Sequence, residues 1–164
     1  MLDADQVTRE LSQPGGAAHA AILQRFATAD RGRLREIIFQ DPKARQDLEG
    51  ILHPLIVAES LRRMTELATR TGKSHVVYEA ALLVETGRYK DFEGLIVIES
   101  PEASRKQRLM QRDHSDASLA EKIITSQISD EKRREAATVV IENTGTFDDL
   151  RQKVESFIDS RGWR

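Results

Sequence analysis

The chain has 164 residues, 39% of them hydrophobic and 32% charged, with a formal net charge of -2 and no cysteine. That length suits one domain with a real core. The lack of cysteine excludes disulfides, thiolate metal sites and a cysteine nucleophile. No run approaches the roughly 20 apolar residues of a membrane span. Met1 to Asp5 lack the regions of a signal peptide, and the small net charge supplies no global field for nucleic acid. The expected setting is the cytoplasm, with neither nucleic acid nor membrane as partner.

Asp3 to Leu11 reads as a short helix running into a Pro14-Gly15-Gly16 break. Ala17 to Ala27 is a second helical run, and Leu34, Ile37 and Ile38 carry a third. Asp41 as cap and Pro42 at the first position open another helix. Leu52-His53-Pro54 is expected to interrupt it, with a longer helix after the break. In that helix Val57, Leu61, Met64 and Ala68 form the stripe of a helix lying on a sheet, and Gly72 ends it.

Three short apolar runs read as strands: His75–Tyr78, Leu95–Glu99 and Thr138–Ile141. The first is β-branched and aromatic without alternation, which predicts a strand buried on both faces of a parallel sheet. Ligands bind at the C-terminal ends of such strands, so Leu82 to Glu85 marks the expected ligand side. Between the strands, Ser100 is expected to cap a helix with Pro101 at its first position. Ser118-Leu119-Ala120-Glu121 reads as a capping box. After the third strand come a turn, Asn143-Thr144-Gly145, a box-like start at Thr146 to Asp149, and an amphipathic last helix with Phe147, Leu150, Val154, Phe157 and Ile158. Strands alternating with helices imply crossover units and a parallel sheet.

The helix from Pro101 to Asp113 has little to bury. Arg105, Arg108 and Arg112 share one of its faces, and guanidinium forks bind phosphate oxygens bidentately. A solvated face paired with Glu102 and Asp113 explains the pattern equally well, and both readings stand. Asp3 and Asp5 at a helix start are ordinary first-turn acids, with Asp5 expected to pair Arg9. His19, His53, His75 and His114 show no metal spacing, so no metal site is expected.

Taken in order, Asp3-Ala4-Asp5 with Arg9, Asp30-Arg31-Gly32-Arg33-Leu34-Arg35, Ile38-Phe39, Leu52-His53-Pro54-Leu55-Ile56, Ala81-Leu82-Leu83-Val84-Glu85, Gln107 to Asp113, Ser126-Gln127-Ile128, Lys132-Arg133 and Val140-Ile141-Glu142-Asn143 resemble one family along essentially the whole chain. No single motif is specific, but their joint order is. The family is dephospho-CoA kinase, whose members are P-loop kinases that phosphorylate the ribose 3'-hydroxyl of dephospho-CoA with ATP.

The resemblance implies an α/β fold, a three-layer parallel sheet of the P-loop nucleoside-kinase type. Residues 1–164 would be one domain, with 101–136 a helical lid-like region. It implies Asp5 as general base or orienter of the attacking hydroxyl, with Asp3, Arg9 and His53 at the acceptor. Arg108, as a catalytic lid residue, and Arg112 would close on the transferred phosphate, supported by Arg133. Asn143 and Gly145 would lie near the adenine, and ATP with Mg2+ would be used.

The chain departs from the family where Ala81 and Thr138 replace a usual Pro and Asp, and in a short connection between Phe26 and Asp30. The 164 residues contain no G-x-x-x-x-G-K-[ST] loop, whose backbone amides, lysine and hydroxyl hold phosphates and magnesium. The expectation is a truncated kinase sequence without the family's first strand, which lies mid-sheet, its loop and its first helix. A gap in the sheet, or a non-family pairing that closes it, and exposed apolar surface around Val77, Ile96 and Val97 should follow. The alternative is a non-catalytic remnant that binds a CoA-like ligand or a protein partner.

Overall fold

Asp3 ends a two-residue strand, β1 (Leu2–Asp3), and caps the helix that follows, α1 (Ala4–Ser12). The computed structural model describes residues 1–73, 75–114 and 116–163. Its backbone divides into two compact units, Met1–Ala80 and Ala81–Arg164.

In the first unit the chain turns sharply after α1. Ala18 N donates to Leu11 O at 2.9 Å, and Gly15 takes the left-handed conformation, with φ +87°. Then come α2 (His19–Phe26), α3 (Arg31–Gln40) and the long α4 (Pro42–Thr71). Val7, Leu11, Ala18, Ile22, Leu34 and Leu48 form the buried core that joins these helices. The expected caps hold: Asp41 accepts from Lys43 N, Pro42 opens α4, and Gly72 closes it with φ +63°. The expected interruption does not occur. Pro54 sits inside a continuous α4, because Leu48, Ile51, Leu52 and Leu55 on both sides of it pack on the core. Such packing offsets the roughly 3 kcal/mol a mid-helix proline costs.

The expected sheet-facing stripe of α4 also fails in part. Val57 and Leu61 are exposed, because α4 meets α1, α2, α3 and β1 with Ala44, Leu48 and Ser60 turned inward. The strand expected at His75–Tyr78 is shorter and later, β2 (Tyr78–Glu79). It pairs in parallel with β1, in register Leu2 to Tyr78, and Leu2 N donates to Val77 O at 2.8 Å. Burial on both faces is not observed either: Val77 is exposed and Tyr78 half-buried. A two-stranded ribbon leaves a face and an edge of each strand uncovered.

In the second unit a helical turn at Arg88–Asp91 leads to β3 (Ile96–Glu99). The helices α5 (Glu102–Asp113), α6 (Ala117–Thr125) and α7 (Asp130–Ala136) follow, then β4 (Val139–Glu142) and α8 (Phe147–Ser160). β3 and β4 pair in parallel over four residues, from Ile96 with Val139 to Glu99 with Glu142. Thr138 accepts Leu95 N with its hydroxyl at 3.0 Å. Two helix starts differ from expectation. Pro101, not Ser100, is the residue before α5, and no side chain caps it. Asp116 rather than Ser118 caps α6, accepting Leu119 N at 2.8 Å, since an equally good cap stands two residues earlier. The box at α8 is as expected: Thr146 and Asp149 bond each other's backbone N–H.

Both pairings are parallel and alternate with helices, which makes the fold α/β. The described strands form two two-stranded sheets, β1 with β2 and β3 with β4. Exposed apolar side chains cluster where expected only in part: Val77, Ile98 and Val140 are exposed, whereas Ile96 and Val97 are half-buried. No helix among the described residues is long and apolar enough to cross a membrane.

Candidate functional site

The first unit gathers its candidates at the start of α1. Asp3 Oδ1 accepts from Asp5 N at 2.7 Å and Gln6 N at 3.2 Å, the geometry of an N-cap. Its other oxygen lies 3.7 Å from Arg9 Nη2. The expected Asp5–Arg9 pair is therefore replaced by Asp3–Arg9: capping already fixes Asp3, and Arg9 needs only to reach back across the turn. The consequence is chemical. Asp5 keeps an exposed carboxylate at a helix N-terminus, with no ion pair or side-chain hydrogen bond among the described residues. His53 is exposed on α4, with no side-chain hydrogen bond among the described residues.

The second unit treats its arginines unequally. Arg105 is not part of a free phosphate face, because both its Nη atoms donate to Asp130 at 2.7 Å, a bidentate pair from α5 to α7. Asp130 also accepts from Arg133 Nη1 at 3.2 Å, and Arg133 Nη2 reaches Gln127 at 3.0 Å and Glu85 at 3.4 Å. The Arg105 guanidinium holds the Asp130 carboxyl below its ordinary range. Arg112 is 74% exposed and pairs with its neighbour Asp113 at 2.8 Å. Arg108 is exposed, with no ion pair among the described residues. Of the three arginines on that face, one is structural, one is loosely paired and one is available.

Asn143 follows β4 and is half-buried, its backbone N donating to Glu99 O at 2.6 Å. A Cβ at Gly145 would lie 2.4 Å from Asp149 Oδ2, so a larger residue there would displace the carboxylate that accepts Thr146 N. Sequence reasoning missed Asp130, which ties two helices together, and the bidentate pair of Arg134 with Glu99 at 2.6–2.9 Å. No local pattern marks either, because the partners lie 25 and 35 residues apart. No group of three or more metal-ligating side chains occurs among the described residues.

Parallel strands that alternate with helices define an α/β protein, the class to which the P-loop kinases belong. Comparison with known proteins carries this further. The family model for dephospho-CoA kinase matches residues 1–149. The Frankia casuarinae dephospho-CoA kinase is 37% identical, over 94% of this chain and 69% of that protein. The Geobacter sulfurreducens enzyme is 36% identical, over 94% and 82%. A crystal structure from Thermus thermophilus superposes with a TM-score of 0.79 at 25% identity, covering 97% of this chain and 83% of that one. The Campylobacter jejuni dephospho-CoA kinase does so at 0.67 and 28% identity, covering 96% and 82%. The chain belongs to the dephospho-CoA kinase family, and its α/β fold is of the P-loop kinase type.

Proposed function

We propose that this chain carries the acceptor and lid residues for ATP-dependent phosphorylation of the 3'-hydroxyl of dephospho-CoA, a step of coenzyme A biosynthesis. The observation that carries the reading is the unpaired Asp5 carboxylate beside the Asp3–Arg9 pair. Asp5 orients the hydroxyl and accepts its proton as the oxygen attacks. Asp3 holds the first turn of α1 in place, Arg9 neutralises charge at the acceptor, and His53 lies near the same substrate. Residues 101–136 act as a lid. Arg108 closes on the transferred phosphate, Arg112 exchanges Asp113 for phosphate oxygens, and Arg133 supports them from α7. Asn143 and Gly145 border the adenine. ATP supplies the phosphoryl group, and the protein supplies position and positive charge.

The fit to ATP is partial within these residues. Arg108 offers an uncommitted guanidinium, but the glycine-rich cradle with its lysine and hydroxyl is not in the sequence. No step is assigned to Mg2+, whose hydroxyl ligand belongs to that glycine-rich loop. Transfer therefore requires a phosphate cradle from outside these 164 residues. Loss of one preorganised donor costs about 10²–10³ in rate, and here several are needed together.

The test measures transfer of labelled phosphate from ATP to dephospho-CoA. One sample is this chain; the other is this chain preceded by a relative's strand, glycine-rich loop and helix. Turnover only in the extended protein, abolished by Asp5→Asn, supports the reading. Robust turnover by the 164 residues alone overturns the need for that cradle. An extended protein that is inactive overturns the assignment of Asp5 and the lid.

A further inference from the structure

Glu85 closes the motif Ala81 to Glu85, and Gln127 centres the motif Ser126 to Ile128. Both side chains reach one atom. Arg133 Nη2 donates to Gln127 Oε1 at 3.0 Å and to Glu85 Oε1 at 3.4 Å, while Nη1 donates to Asp130 Oδ1 at 3.2 Å. The acceptors come from the turn after residue 81, the connection between α6 and α7, and the start of α7. Arg133 is also the least exposed of the ion-paired arginines among the described residues, at 19%.

The local backbone fixes each acceptor. Thr86 N donates to Leu82 O at 3.0 Å and Gly87 N to Val84 O at 3.0 Å, with Gly87 at φ +70°, so Glu85 sits in a closed turn. Gln127 N donates to Ile124 O at 3.1 Å. Asp130 begins α7 three residues before Arg133, which puts the two on one helical face. A guanidinium has more donors than these bonds use. Nε–H and one hydrogen of Nη1 have no partner among the described residues. Arg105 Nε is the side-chain nitrogen that is both buried and unpartnered there, so Nε of Arg133 keeps access to solvent. The result is a guanidinium held at one side and open at the other.

Charge alone does not explain the arrangement. Asp130 and Glu85 together cancel Arg105 and Arg133, so the acceptors leave no surplus positive charge for an anion. What they leave is direction, since a fixed planar fork loses less freedom when it binds a phosphate oxygen.

We propose that Glu85 and Gln127 are positioning residues that hold Arg133 so that its open side meets the phosphate oxygens of the nucleotide. The inference rests on the reading of residues 101–136 as a phosphate lid and adds the side chains that aim one of its arginines. Simple electrostatics predicts the opposite sign. A carboxylate beside a phosphate site repels the anion, so its removal should tighten binding. If Glu85 aims the guanidinium, its removal weakens binding, and Gln, which keeps an acceptor oxygen at the same reach, restores it.

The test titrates the full chain, carrying isotope-labelled arginine, with inorganic triphosphate and follows the Nε–H signals of Arg108 and Arg133 by NMR. Arg108→Lys and Arg133→Lys assign the two signals. The variants are Glu85→Ala, Glu85→Gln and Gln127→Ala, with a urea midpoint measured for each. Gln127 is exposed, so Gln127→Ala stays readable if Glu85→Ala does not fold.

In the wild type the Arg133 signal should shift saturably with triphosphate. Each alanine variant should weaken that response by about fivefold or more, and Glu85→Gln should stay within about twofold of wild type. Unchanged or tighter binding in the folded alanine variants overturns the proposal. A lowered urea midpoint with wild-type affinity makes the cluster purely structural and overturns it too. A wild type in which Arg108 responds and Arg133 does not overturns the proposal and leaves the lid reading intact. A wild type in which neither responds overturns the lid reading, and the proposal with it.

Discussion

Removing Asp130 should loosen the second unit more than an exposed carboxylate normally would. Asp130→Ala deletes the acceptor of two 2.7 Å bonds from Arg105 and one 3.2 Å bond from Arg133. The side chains of Arg105 and Asp130 are 23% and 36% exposed. That places the pair between two known cases. Exposed ion pairs contribute about 0–1 kcal/mol, and breaking a fully buried one costs about 3–5 kcal/mol. Arg105 Nε is already buried without a partner, so losing Asp130 adds to an existing shortfall. A loss of about 1.5–3 kcal/mol is expected, the range for hydrogen bonds to charged groups. The assay is urea unfolding at neutral pH and moderate salt, with hydrogen exchange followed on α5 and α7. Asp130→Ala, Arg105→Ala and the double variant close a cycle whose coupling should exceed about 1 kcal/mol. A single-variant cost under about 0.5 kcal/mol, or a cycle that is additive, refutes the reasoning and returns Asp130 to the surface.

Gly16→Ala should destabilise the first unit, since its Cβ would sit 2.3 Å from the carbonyl oxygens of both Glu10 and Leu11. Backbone cannot yield as a side chain does, so about 1–3 kcal/mol is expected in thermal unfolding. Acid should act through Asp130 and Asp149, whose folded values are depressed by Arg105 and by the Thr146 hydroxyl respectively. A depressed carboxylate stabilises the fold above its unfolded value of about 3.9 and loses that contribution as pH falls through the folded value. Stability measured by urea midpoint should therefore fall below about pH 4 in wild type, and less steeply in Asp130→Asn.

Much of the local structure was legible. Asp41 with Pro42, Gly72, and Thr146 with Asp149 mark helix ends because each satisfies orphan backbone groups within a few residues. Parallel pairing followed from strands separated by helices, since such strands need a crossover. Asp5 and Arg108 were named by resemblance, and the tertiary contacts explain why these two are chemically available. Other readings failed for a common reason. Pro54 looked like a break because propensity is local, whereas the packing of Leu48, Leu52 and Leu55 is not. The Val57–Leu61 stripe had the right period, but the helices that pack on α4 chose another face.

The sequence by itself determined most of the order of elements, the helix ends at Asp41, Gly72 and Thr146, and the family, because these depend on neighbours along the chain and on the joint order of motifs. Only the tertiary structure decided which charges are spent. Asp130 meets Arg105 from 25 residues away, and Glu99 meets Arg134 from 35. Leu2–Asp3 is a strand only because Tyr78–Glu79 lies beside it, since two residues carry no periodicity of their own. Arg108 and Asp5 are left uncommitted by the same three-dimensional pairing. A side chain's availability depends on what the fold brings within about 3–4 Å of it, a distance that sequence separation does not encode.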